Sequence, residues 1–86
     1  MTFYVYVLYS ESYDRYYIGQ TSDMASRLNH HNAGQELATR PYVPWQLIFA
    51  IEKYGRGEAM ILERKLKNLN RVKLQRFISK YGGTQK

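Results

Sequence analysis

The stretch YVYVLYSESYDRYYIGQTSDMASR, residues 4–27, decides the fold. With the residue before it, its first part reads FYVYVLY over residues 3–9, aromatic or branched and apolar throughout. Such side chains suit a pleated surface, and an unbroken apolar run suits a strand covered on both faces. A central or nearly central strand is expected. Ser10-Glu11-Ser12-Tyr13-Asp14 supplies turn chemistry, and residues 15–20 (RYYIGQ) read as the returning strand of a hairpin. Alternation puts Tyr4, Tyr6 and Leu8 on one face and Phe3, Val5, Val7 and Tyr9 on the other. Whether Tyr6 and Tyr17 share a face depends on the pairing register, which these residues leave open.

Gly19 inside a strand marks a close approach by a ligand or another piece of backbone. Beyond it, Thr21 or Ser22 is expected to cap a helix over residues 23–32, with Asp23 in its first turn and Gly34 past its end. Met24, Leu28 and His31 fall on one face of that helix, with Arg27 beside them. Residues 34–44 read as a loop bounded by Pro41 and Pro44, from which Thr39 and Arg40 can reach a substrate. Residues 45–53 (WQLIFAIEK) read as a third strand. Gly55 and Gly57 then break the chain, and a helix over 58–69 carries the stripe Ala59, Leu62, Leu66 and Leu69. Asn70 caps a last helix over 71–81, with Leu74, Phe77 and Ile78 inward and Arg71, Lys73, Arg76 and Lys80 outward. The expected organisation is one domain over residues 1–81 and a disordered tail over 82–86. The order ββαβαα predicts an α/β (α+β) fold, a small three-stranded antiparallel sheet with flanking helices.

With 86 residues the core is modest, and the absence of cysteine excludes disulfides and thiolate metal sites. No run approaches the ~20 apolar residues of a membrane span. The first residues lack the basic start and apolar run of a secretion signal, so a cytoplasmic protein without a membrane partner is expected. The net charge of +6 is unevenly placed. Up to residue 52, three Arg or Lys face five acids, whereas from Lys53 onward ten bases face only Glu58 and Glu63. A basic C-terminal half suits a polyanion, although it also suits a solvated helix face.

Two strands bearing aromatic hydroxyls, followed by a helix bearing a guanidinium, could grip a phosphodiester. A guanidinium holds two phosphate oxygens at once and offsets charge that builds as phosphorus is attacked. The competing use of Arg27 is a surface pair with Asp23 at i−4, worth a few tenths of a kcal/mol. A tyrosine, with a pKa near ~10, is a poor base unless cations stabilise its phenolate or it accepts a proton as its own leaves.

Tyr4-Val5-Tyr6, Tyr17-Ile18-Gly19, and Arg27 after seven intervening residues together resemble the GIY-YIG nuclease domain in its small stand-alone form. The chain is also similar to the N-terminal domain of excision-repair incision nucleases. The likeness extends over residues 3–78 and includes Arg27-Leu28-Asn29-His30-His31-Asn32 and Glu63-Arg64-Lys65-Leu66-Lys67. The first triplet departs from the name, reading Tyr-Val-Tyr for Gly-Ile-Tyr, and Gln75 stands where larger members carry an asparagine.

The resemblance implies a metal-dependent endonuclease that hydrolyses DNA, with a connection to DNA repair. Tyr6 and Tyr17 would flank the attacking water, one of them as general base, with Arg27 and His31 completing the catalytic group. Glu63 would hold Mg²⁺ (or Mn²⁺), a hard ion that often takes one protein carboxylate and keeps several waters. The competing use of Glu63 is an i,i+4 pair with Lys67. Arg40, Lys67, Arg71, Lys73 and Arg76 are the expected nucleic-acid contacts. Structured or branched DNA, and a protein partner that supplies specificity, are among the partners this allows. The alternatives are a nucleic-acid-binding module that cuts little or not at all, and a protein-interaction domain.

Overall fold

The computed structural model describes residues 1–82. Strands β1 (Thr2–Ser10) and β2 (Arg15–Thr21) form the hairpin, and helix α1 (Met24–Asn32) follows. A short 3₁₀ turn (Arg40–Tyr42) precedes strand β3 (Gln46–Tyr54), and helices α2 (Gly55–Lys67) and α3 (Arg71–Gly82) complete the chain. The sheet is antiparallel throughout in the order β2-β1-β3, so the apolar run of β1 lies in its centre as its composition requires.

The register resolves what alternation left open. Tyr6 pairs with Gly19 and Leu8 with Tyr17, which sets Tyr6, Tyr17 and Gly19 on one face. Against β3 the register slips between Val7 and Leu8, whose partners are Phe49 and Leu47, leaving Ile48 as a bulge.

Two cores of unequal size result. Helices α2 and α3 cover seven buried residues, Phe3, Val5, Val7, Phe49, Ala59, Leu66 and Leu74. The α1 face buries three, Tyr6, Leu8 and Trp45, with Tyr17, Met24 and Leu28 packed around them. Each fully buried large apolar side chain contributes about 1.5–3 kcal/mol, so the seven-residue face carries most of the hydrophobic stability. The smaller face can then hold the buried polar residues His31 and Thr39.

The element boundaries differ from expectation chiefly at the helices, and α2 ends at Lys67 rather than residue 69. Asp23, not Thr21 or Ser22, caps α1, its carboxylate accepting from Ser26 N at 3.1 Å, while Thr21 Oγ1 accepts from Asp23 N. Helix α2 starts at Gly55 rather than residue 58, because Gly55 at φ 81° turns the chain directly out of β3. Helix α3 continues through Gly82, the first residue of the expected tail, and residues 83–86 lie outside the described residues. No helix among the described residues is long and apolar enough to cross a membrane.

Candidate nuclease site

Tyr6 is 2% exposed, and its hydroxyl lies 3.0 Å from Nε2 of His31, which is itself 1% exposed. His31 Nδ1 lies 2.8 Å from Oγ1 of the buried Thr39, whose carbonyl accepts from Trp45 Nε1 at 3.0 Å. Asn32 locks the far side, donating to Trp45 O at 3.0 Å and accepting from Trp45 N at 2.6 Å. The α1 periodicity thus brings His31 inward, and the loop turns back to close a chain from Tyr6 through His31 to Thr39. Tyr17 stays half-buried beside this pair, its ring centre 6.4 Å from that of Tyr6 and 5.0 Å from that of His31.

Gly19 is where the backbone comes closest to this pair. A Cβ placed there would lie 2.6 Å from Tyr6 Oη and 2.8 Å from its Cζ, so no larger residue fits without moving the phenol. Burial pushes the Tyr6 phenol well above the ordinary tyrosine range. Tyr17, Glu63 and Glu36 push the same way, and the Arg27 charge opposes them. Burial also lowers the His31 pKa, helped by Arg27 and His30 against Glu36, so the imidazole is neutral near pH 7.

Arg27 and Glu63 open onto a groove along the outer edge of β2. One part, about 280 Å³, is lined by Gln20, Thr21, Ser22, Arg27 and Arg56. The other, about 500 Å³, is lined by Gln20, Arg56, Met60, Glu63 and Lys67, and the two parts share Gln20 and Arg56. Helix α1 supplies one wall and α2 the other, so β2 as an edge strand is what leaves the groove open. Arg27 forms no ion pair among the described residues, because Asp23 is used as the helix cap.

Glu63 is the carboxylate of this groove, and its side chain is 18% exposed. Gln20 Nε2 donates to its Oε1 at 2.9 Å, and Lys67 Nζ lies 2.9 Å from its Oε2. The i,i+4 pair therefore forms, but the Lys67 side chain is 54% exposed and free to swing away. No group of three or more His, Cys, Asp or Glu suited to a metal occurs among the described residues. The donor set of one hard carboxylate lining an open groove still fits an ion that takes a single protein carboxylate and completes its shell with water and phosphate oxygens.

The remaining expected contacts separate. Lys67 lines the groove. Arg71 turns to the hairpin instead, pairing with the Asp14 carboxylate and stacking over Tyr16. Lys73 and Arg76 lie on a different surface of α3, and Arg40 sits exposed in the 3₁₀ turn. Thr39 is buried against His31 rather than reaching a substrate, and Gln75 donates to Tyr16 Oη at 3.0 Å, away from the groove. Two groove residues escaped the sequence reading. Gln20 directly follows the Tyr-Ile-Gly triplet, and Arg56 lies between two glycines read as a chain break; a helix start at Gly55 would have exposed its position.

A GIY-YIG catalytic domain profile matches residues 2–76. The chain belongs to the GIY-YIG family, a nuclease family whose members act on DNA and generally depend on a divalent metal. Its relatives are small single-domain proteins of the UPF0213 group. One from Streptococcus pneumoniae serotype 4 is 40% identical over 77 residues, covering 88% of this chain and 77% of the relative. Another, from Streptococcus pneumoniae strain R6, is 39% identical over the same shares. A UPF0213 protein of Bacillus halodurans, solved by solution NMR, superposes with a TM-score of 0.64 at 32% identity, covering 98% of this chain and 89% of that one.

Proposed function

We propose that the protein is a metal-dependent endonuclease that hydrolyses DNA phosphodiester bonds in the groove between α1 and α2. The observation that carries this reading is that Arg27 and Glu63, 36 residues apart in sequence, line one groove, while the Tyr6 phenol lies in the field of both.

Arg27 holds the non-bridging phosphate oxygens and offsets the charge that develops on them, with Arg56 beside it. Tyr6 is the base. Its buried phenol resists standing as a phenolate, so it takes a proton from water as its own proton passes to neutral His31 Nε2, 3.0 Å away. For that transfer His31 carries its own proton on Nδ1, donating to Thr39 Oγ1. The water oxygen joins phosphorus and the bond to the departing sugar oxygen breaks. Solvent protonates the departing oxygen, and His31 returns its proton to the Tyr6 hydroxyl as Tyr6 releases its own to solvent. Tyr17, half-buried beside the pair, orients the water. Glu63 would hold the divalent ion, which when bound supplies Lewis-acid stabilisation of the phosphate. Lys67 must first leave the Glu63 carboxylate, and the phosphate backbone gives it an alternative partner.

The test is nicking of supercoiled DNA with Mg²⁺ or Mn²⁺ by the wild type, Arg27→Ala and Glu63→Ala. Nicking by the wild type alone supports the reading; a fully active Glu63→Ala protein removes the metal assignment. A second reading, a nucleic-acid-binding module without cleavage, is favoured by the occupation of both Glu63 oxygens and the burial of Tyr6. Retardation of DNA without nicking would select it.

A further inference from the structure

On the outer side of α2 and α3 lies a second depression of about 250 Å³, lined by Lys65, Lys73, Arg76, Phe77, Lys80 and Tyr81. Its four bases form no ion pair among the described residues. Two of them rest on rings instead: Lys65 Nζ is 5.7 Å from the Phe77 ring centre and Lys80 Nζ 5.3 Å from that of Tyr81. The Phe77 and Tyr81 rings are themselves 4.6 Å apart, forming the floor between the cations.

Lys73, Arg76 and Lys80 stand at i, i+3 and i+7 of one helix. Like charges at such spacings destabilise a helix by a few tenths of a kcal/mol per pair. A surface that served only solubility would mix acids among them. Lys65 follows Glu63 by two residues, about 200° around α2 at 3.6 residues per turn, so this surface points away from the groove. From Lys73 to Lys80 the helix rises about 10 Å, at 1.5 Å per residue. The same length of duplex carries about six phosphate charges.

We infer that this face of α2 and α3 is a docking surface for the sugar-phosphate backbone of duplex DNA, independent of sequence and separate from the hydrolytic groove. Only the choice of DNA as ligand rests on the proposed function; the docking itself needs no cleavage. The cations supply affinity through counterion release, and the ring floor holds Lys65 and Lys80 in place.

The test is fluorescence anisotropy of a labelled duplex of about 30 base pairs in EDTA, over roughly 50–300 mM salt, where no cleavage intervenes. Lys73→Glu/Arg76→Glu/Lys80→Glu is expected to bind at least about 30-fold more weakly, with a log–log salt slope shallower by about 3, roughly 0.9 per phosphate contact. Lys53→Glu, which changes net charge elsewhere, is expected to cost less than about 1.5-fold. Should the triple variant melt early, Lys73→Gln/Lys80→Gln carries the test with a slope change of about 2. An unchanged slope overturns the proposal. A loss per charge equal to that of Lys53→Glu also overturns it, as does binding of phosphatidylglycerol vesicles through these residues without DNA binding. Glu63→Ala is read by nicking alone, so failure of the hydrolytic reading leaves a separate signature.

Discussion

Replacing Gly19 with alanine tests the geometry at the centre of the site. The new Cβ would lie 2.6 Å from Tyr6 Oη and 2.8 Å from Cζ, and both atoms belong to a ring packed in the core. Forcing a buried ring aside costs about 1–3 kcal/mol. Moving the phenol also breaks its bond to His31 Nε2, leaving two buried polar atoms unpaired at about 1–3 kcal/mol. The reduced chain entropy of alanine returns about 0.5–1 kcal/mol, so the net loss is about 1–5 kcal/mol. At ~4–8 °C per kcal/mol for a chain of this size, the melting temperature should fall by about 5–40 °C. Gly57→Ala is the matched control. It lies in α2 with nothing within 4 Å of the added methyl, and it should stabilise by up to ~1 kcal/mol. Urea unfolding of both variants measures the difference. Because Gly19→Ala and Tyr6→Phe each remove the same hydrogen bond, the double variant should lose less than the sum of the singles. A Gly19→Ala protein within ~0.5 kcal/mol of the wild type, or strict additivity with Tyr6→Phe, would refute the reasoning.

His31 titrates below its ordinary value of 6.5, so below that pH the unfolded chain binds a proton that the folded one does not. Stability should therefore be fully present above about pH 6.5 and fall as the pH drops towards the lowered native value. Urea midpoints near pH 8 and pH 5.5 should diverge in the wild type and converge in His31→Gln. Asn32→Ala strands both the N–H and C=O of Trp45 and should cost about 2 kcal/mol, read as a melting shift. Glu63→Gln keeps the Gln20 contact and loses only the pair with mostly exposed Lys67, so its stability should change by less than ~1 kcal/mol while nicking disappears. EDTA should likewise abolish nicking and leave duplex retardation intact.

The sequence by itself determined the elements and their faces, because strand alternation, helix stripes and caps are set by neighbours a few residues apart. The uninterrupted apolar run over residues 3–9 was enough to put β1 in the centre, and the stripe Ala59, Leu62 and Leu66 was enough to turn α2 onto the sheet. Tertiary structure alone decided the rest. The Tyr6–Gly19 register set both phenols on the α1 face, a fold-back of the loop carried Thr39 to His31, and packing of α2 beside β2 brought Glu63 to Gln20 across 43 residues. Such contacts depend on how finished elements are docked, and side-chain periodicity carries no information about partners that far along the chain. The same docking turned Arg71 to Asp14 and left Lys73, Arg76 and Lys80 together without an acid, although all four had read alike as outward bases on one helix.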